Sequence, residues 1–206
     1  MVRRNAIAAD AVAAGAPGTI ALFEPAEPVY ALGRRAQDAA GRAQIAQAIA
    51  SCEARQIAVV DVDRGGLGTL HAPGQIVAFL AVPCPRWQAR ALCAELLHGI
   101  ADLALHSGLR ARSDLADDVG VWTADGKLAS LGLRLREDVA QHGVALNVAV
   151  DRRLAQGLTL CGKPLITLAN LVDRPSPNAR PLADWAVELA SHWGLAPQDV
   201  CSARIP

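Results

Sequence analysis

The spacing of apolar residues along the chain marks out strands and helices in turn. Thr19 to Phe23, followed by Glu24-Pro25-Ala26-Glu27-Pro28, reads as a strand ended by prolines that cannot donate ladder hydrogen bonds. Ala39, Ala43, Ala46 and Ile49 recur at helical spacing within Arg35 to Ala50, which leads into a β-branched run from Ile57 to Val62. A glycine-dense stretch from Arg64 to Gln75 then reads as a loop between two buried strands, the second being the apolar run Ile76 to Val82. Trp87 to Ser107 is the plainest helix, because Leu92, Leu96, Ile100 and Leu103 return every three or four residues and Gly108 supplies a left-handed cap. Short β-type runs follow at Val119 to Thr123, Leu128 to Leu135 and Val144 to Val150, the first two joined by the tight-turn dipeptide Asp125-Gly126. Leu182, Trp185, Leu189 and Trp193 line one face of a last helix, stopped by Gly194 and Pro197. The pattern predicts one α+β domain over residues 1–206 with an antiparallel-rich sheet.

Composition narrows the possible functions. At 206 residues and 52% hydrophobic, the chain can bury a core without disulfide or metal staples. The formal net charge is zero and aromatics make up only 3%, which excludes both the basic footprint and the stacking platform of a nucleic-acid binder. No run of 18 apolar residues is present, so no membrane-spanning helix is expected. Asp10 interrupts the Ala-rich opening, which therefore makes a poor secretory signal. Five cysteines with no C-x-x-C pair point to a reducing, cytoplasmic setting and to no zinc ribbon.

Several familiar motifs fail on inspection. Gly66-Leu67-Gly68 is followed by His71 where a dinucleotide loop needs glycine, and by a strand where it needs a helix. Gly162-Lys163 precedes Pro164 rather than the Ser or Thr of a phosphate loop. Ser130 lacks the first glycine of a nucleophile elbow, and His98 and His106 read as partly exposed helix residues.

Three segments remain as candidates for chemistry. The first is the glycine loop with Arg64, Gly65, Gly66, His71 and Gln75, whose alternative reading is a long hairpin connection. The second is Gly126-Lys127-Leu128-Ala129-Ser130-Leu131-Gly132, where a lone lysine after a turn is ordinarily solvated. The third is Thr159-Leu160-Cys161-Gly162-Lys163, where a buried cysteine is ordinarily a core residue. With Pro28-Val29-Tyr30-Ala31-Leu32-Gly33-Arg34 and His142-Gly143-Val144-Ala145-Leu146-Asn147, they form five ordered blocks from about Leu22 to Val172.

Together these blocks resemble the lipoyl(octanoyl) transferase family, which moves an octanoyl chain from acyl carrier protein to a lysine of lipoyl domains. The resemblance implies the fold of biotin and lipoate protein ligases, a class II synthetase-like α+β arrangement with a mixed, antiparallel-rich sheet flanked by helices. It implies that Cys161 and Lys127 form a catalytic dyad. It implies that the acyl site is lined by Arg64, Gly65, Gly66, Leu67, Gly68, Thr69, Leu70 and His71, by Ser130, Leu131 and Gly132, and by Gly143, Val144 and Ala145. The tunnel wall is expected from Leu70, Ala129, Val144 and Ala145. The implied partners are acyl carrier protein, the lipoyl domains of 2-oxoacid dehydrogenases and the glycine cleavage H protein, with a monomeric enzyme, no cofactor and no metal. The family loop usually reads Thr-Tyr-His-Gly-Pro-Gly-Gln. Here Leu70 and Ala72 replace the tyrosine and the first glycine, removing a phenol and the freedom of a glycine. Leu160 and Lys163 depart from the family around the cysteine.

The residue chemistry agrees with that resemblance. A free thiol is only a few per cent thiolate at neutral pH, and a nearby ammonium raises that fraction. Lys127 is the candidate ammonium, and His71 and His142 are candidates to position the acyl carbonyl or the arriving amine. Cys52, Cys84, Cys93 and Cys201 have no partnering segment and read as structural. Arg34, Arg35 and Arg86 are candidate contacts for an acidic carrier, against a default of solvated surface arginines. Two other readings stay open: an ATP-dependent lipoate or biotin ligase, and a paralogue that binds acyl groups or carriers without catalysis.

Overall fold

A computed structural model describes residues 2–158, 166–172, 180–194 and 201–205. Among these are helices α1 (Val2–Ala13), α2 (Ala39–Ala54), α3 (Ala89–His106) and α4 (Leu182–His192). The strands are β1 (Thr19–Pro25), β2 (Val29–Leu32), β3 (Ala58–Asp61), β4 (Gly68–His71), β5 (Gln75–Pro83), β6 (Arg112–Asp114), β7 (Gly120–Thr123), β8 (Gly126–Arg136), β9 (Val139–Asn147) and β10 (Cys201–Ile205). Seven strands form one sheet in the order β10-β1-β5-β9-β8-β7-β6, and β3-β2-β4 form a second. In the large sheet only the β1–β10 pair is parallel, while the small sheet combines parallel β2–β3 with antiparallel β2–β4. The expected α+β class with an antiparallel-rich mixed sheet is borne out.

One face of the large sheet is covered by α3 and α4. Leu96, Leu97, Ile100 and Leu103 of α3 pack on Leu22, Ala78, Leu80, Val144 and Leu146. Gly99 admits the edge of Trp193, whose indole N–H donates to the Leu96 carbonyl at 3.2 Å. A side chain at position 99 would strike that ring. The helix then ends where Gly108 takes φ +80°. The small sheet is backed by α2, which Asp38 caps by accepting a hydrogen bond from the Gly41 N–H at 2.7 Å. Ile45, Ala48 and Cys52 of α2 pack against Tyr30, Leu32 and Leu70.

Four expectations are corrected here. The Ala-rich opening, assigned no element, is helical, because Ala9 and Val12 find an apolar seat on Ala81 and Val139. The glycine-dense stretch is not all loop, since β4 lies within it and pairs with β2. The strand before it is not buried: β3 is an edge strand of the small sheet and leaves Val60 40% exposed. The run read from Val144 to Val150 begins earlier, at Val139, and all nine residues of β9 are buried. Its period-2 pattern separates two dry faces rather than a wet face from a dry one.

A cavity between the two sheets

Strand register decides which side chains meet. Directly paired residues project from the same face of a sheet. In the large sheet one such row is Phe23, Val77, Ala145 and Ser130, and the next brings together Phe79, Gly143 and Gly132. In the small sheet the facing rows are Ala58, Val29 and His71, then Val60, Ala31 and Thr69. These rows enclose a cavity of about 410 Å³, closed at its rim by Pro25 to Pro28 and bordered by Arg64, His142, Leu131 and Val144. The paired glycines are held to glycine by their neighbours. A Cβ at Gly143 would collide with the Ala78 carbonyl, and one at Gly132 would come within 2.8 Å of Arg64 Cδ.

Of the residues the sequence nominated, Arg64, Thr69, His71, Ser130, Leu131, Gly132, Gly143, Val144 and Ala145 border this cavity. Leu70 does not. It pairs with Tyr30 and faces α2, because successive strand residues alternate faces, so the exchange of an aromatic for Leu70 falls in the α2 core. Ala129 likewise turns to the helix-covered core. Leu67 is buried under α2, and Gly68 is required by Tyr30, whose hydroxyl would meet any Cβ there. Gly65 and Gly66 carry the chain past Arg64, with Gly66 at φ +89°. Ala72 adopts no left-handed conformation and its N–H donates to Gln75 Oε1 at 3.3 Å; the sharp turn falls on Gly74, at φ +87°. The loop therefore needs no glycine at position 72.

The polar groups of the cavity are few and mostly committed. Arg64 is 8% exposed and donates to the carbonyls of Ala31 and Gly65, each at 2.7 Å. His71 Nδ1 lies 3.3 Å from Gln75 Oε1. His142 sits at φ +64° and meets the Phe79 ring edge-on at 5.5 Å, and Phe79 in turn meets Phe23 at 5.1 Å. Burial, and then the neighbouring Arg64 charge, lower the pKa of His71 to about 4 against a partly opposing hydrogen bond from Gln75. Burial, Arg64 and Arg134 lower His142 to about 4 as well. Both imidazoles are thus neutral at pH 7.

A stability prediction follows from those two histidines. Each has a folded pKa below its unfolded value near 6.5, so between about 6.5 and 4 the unfolded chain binds more protons. Stability is therefore full above about 6.5 and is lost as the pH falls toward 4, by roughly 3 kcal/mol per histidine at most. Urea midpoints recorded from pH 7 to pH 4 are expected to drop in that window, and in His71→Gln the drop is expected to be smaller. A flat profile contradicts burial of neutral imidazoles.

Lys127 is 2% exposed, against the expectation that a lysine after a turn is solvated. Its Nζ donates to the Val119 carbonyl at 2.7 Å and stands 4.9 Å from the centre of the Trp122 ring. Gly120 leaves it room, since a Cβ there would come within 2.7 Å of Lys127 Cε. Its backbone N–H donates to Thr167 O at 2.9 Å, and its carbonyl accepts from Ala169 N and from Asn147 Nδ2, both at 3.0 Å. Cys161, with Thr159, Leu160, Gly162 and Lys163, lies outside the described residues, as does Pro197. Burial raises the pKa of Cys52, Cys84 and Cys93, which keeps these three as thiols. Arg34, Arg35 and Arg86 are exposed, and Arg34 lies 3.7 Å from Asp63.

Sequence reasoning missed Phe23, Val77 and Phe79. A strand apolar on both faces gives no sign of which face borders a cavity, although these are the only two phenylalanines in the chain. Among the described residues, no helix is long and apolar enough to cross a membrane and no cluster of three metal-ligating side chains occurs.

Residues 4–170 match the lipoyl protein ligase A/B catalytic domain family. An octanoyltransferase of Alkalilimnicola ehrlichii is 36% identical over 165 residues, covering 78% of this chain and 71% of the relative. An octanoyltransferase of Pseudomonas fluorescens is 35% identical over 153 residues, covering 72% of this chain and 71% of the relative. Among solved structures, a lipoate protein ligase candidate from T. acidophilum with bound lipoic acid superposes with a TM-score of 0.70, at 12% identity, over 99% of this chain and 84% of that one. Lipoate-protein ligase A bound with ATP gives 0.69 at 13% identity, over 98% and 83%. At these identities the structural likeness is one of fold.

Proposed function

Because the chain belongs to the lipoyl protein ligase A/B catalytic domain family, we propose that it transfers an octanoyl group from acyl carrier protein, through Cys161, to the lysine amine of a lipoyl domain. The observation that carries this reading is the apolar cavity between the sheets, floored by Gly132, Gly143 and Ala145, with the buried Lys127 on the strand that supplies Ser130 and Gly132. Saturated chains need such a surface, and burying one is worth about 0.8 kcal/mol per methylene. Thr167, six positions beyond Cys161, is bonded to the Lys127 backbone, which supports the pairing of lysine and cysteine.

The steps balance without a cofactor or ATP. The Cys161 thiol passes its proton to Lys127, and the thiolate attacks the octanoyl thioester carbonyl. The carbon–sulfur bond to the carrier breaks as the Lys127 ammonium protonates the departing thiolate, leaving an octanoyl thioester on Cys161 and a neutral lysine. The amine of the acceptor lysine then attacks that thioester. Lys127 takes the amine's surplus proton, the amide forms, and Cys161 leaves as thiolate. Thioester exchange is close to isoenergetic and aminolysis runs downhill. The acceptors are the lipoyl domains of 2-oxoacid dehydrogenases and the glycine cleavage H protein, and the enzyme works as a cytoplasmic monomer.

Arg64 argues against the ATP-dependent ligase, because two of its guanidinium nitrogens are held by backbone carbonyls rather than aimed at a nucleotide. The test supplies two donor systems to one apo lipoyl domain: octanoyl-acyl carrier protein alone, and free octanoate with ATP and Mg²⁺. Amide formation from the first is expected. Formation from the second alone establishes a ligase, and formation from neither establishes a binding protein.

A further inference from the structure

A chain of buried amides runs from Lys127 to the cavity and fixes the protonation of His71. The Lys127 carbonyl only accepts, so the Asn147 atom bonded to it at 3.0 Å is Nδ2. Asn147 Oδ1 therefore faces Gln75 Nε2 at 2.8 Å, and the other Nε2 hydrogen goes to the Leu70 carbonyl at 3.1 Å. Gln75 Oε1 remains as the acceptor, taking the Ala72 N–H at 3.3 Å and facing His71 Nδ1 at 3.3 Å. Because Oε1 carries no hydrogen, Nδ1 must carry one. The polarity of every link is set by backbone groups at its ends. A neutral imidazole has a single N–H, so Nε2 is left with its lone pair. His71 lies on the cavity side of β4, and among the described residues its Nε2 has no hydrogen-bond partner.

Resting on the octanoyl-transfer reading above, we propose that His71 is a catalytic residue of the second half-reaction: its Nε2 accepts one N–H of the incoming lysine amine and so aims the amine's lone pair at the enzyme thioester. Gln75 and Asn147 are positioning residues that act through it. A primary amine has two hydrogens and one lone pair, and anchoring one hydrogen on a fixed acceptor orients the lone pair for attack. The proton lost on amide formation still goes to Lys127. The first half-reaction has no attacking amine for Nε2 to orient, because its nucleophile and leaving group are both sulfur. His71 therefore separates the two halves.

The test measures them apart on the whole protein, loading from octanoyl-acyl carrier protein and then discharge to apo lipoyl domain. His71→Asn keeps a donor for Gln75 Oε1 but loses the acceptor at Nε2, whereas His71→Gln carries an amide oxygen near the Nε2 position. We expect His71→Asn to slow discharge about 10–100-fold more than it slows loading, with His71→Gln recovering part of that difference. Equal slowing of both halves, or an unchanged discharge in His71→Asn, overturns the proposal. A nitrogen-15 spectrum of the wild-type protein at pH 7 supplies an independent check: the proton is expected on Nδ1, and finding it on Nε2 overturns the proposal whatever the rates. A wild-type protein that never gains an octanoyl mass overturns the transfer reading itself and removes this step with it.

Discussion

Replacing Ala145 with phenylalanine is expected to cut octanoyl transfer about a hundredfold while leaving the protein folded and active on short acyl donors. The Ala145 side chain already points into the cavity from the row it shares with Phe23, Val77 and Ser130. A larger side chain there fills open space rather than pushing strands apart. Gly143 differs, because any Cβ at that position collides with the Ala78 carbonyl of the neighbouring strand. A phenyl ring takes the room of three or four methylenes, and losing their burial forfeits roughly 2–3 kcal/mol, which is about a hundredfold in kcat/KM. Rates with butyryl and octanoyl carriers, together with a melting curve, check this. Unchanged octanoyl activity means that the chain lies elsewhere.

The reason Ala145 can be singled out, and Leu70 and Ala129 set aside, was not available from the sequence. In a strand with one wet face, alternation names the inward residues; here β5 and β9 are dry on both faces, and every position looks like core. An offset of one residue then moves a side chain from the cavity to the opposite core, as with Leu70 against Thr69 and His71. The helix α3 was legible because its outer face is wet, with His98 and Leu105 exposed, and its inner face is Leu96, Ile100 and Leu103. The hairpin from β7 to β8 was legible because Asp125-Gly126 has one good use. The strand β4 was hidden by Gly65, Gly66 and Gly68, which read as loop although Gly68 serves only to admit Tyr30. The burial of Lys127 was equally hidden, since its room is made by Gly120, seven residues away and on another strand. The resemblance carried by the ordered motif blocks fared better than periodicity, because it depends on residue identity at fixed spacing and not on which face is wet.

The second large effect concerns Lys127 and Cys161. Lys127→Met keeps the stem of the side chain and removes the ammonium, so the fold survives at a cost of about 1–3 kcal/mol for the Val119 carbonyl left without its donor. With no group to take the thiol proton or return it to the carrier, loading is expected to slow by about 10²–10⁴-fold. Loading within about threefold of wild type makes Lys127 a structural residue. Cys161→Ala removes the nucleophile itself, and its loading is expected to vanish.

The central claim is that octanoate passes through a thioester on Cys161 without ATP, and the intact mass of the protein after incubation with octanoyl-acyl carrier protein alone tests it most directly. One added octanoyl group on the wild type, located on Cys161 by peptide mapping and absent from Cys161→Ala, is the result expected. A wild type that stays unmodified while amide still forms, or an adduct that persists in Cys161→Ala, contradicts it.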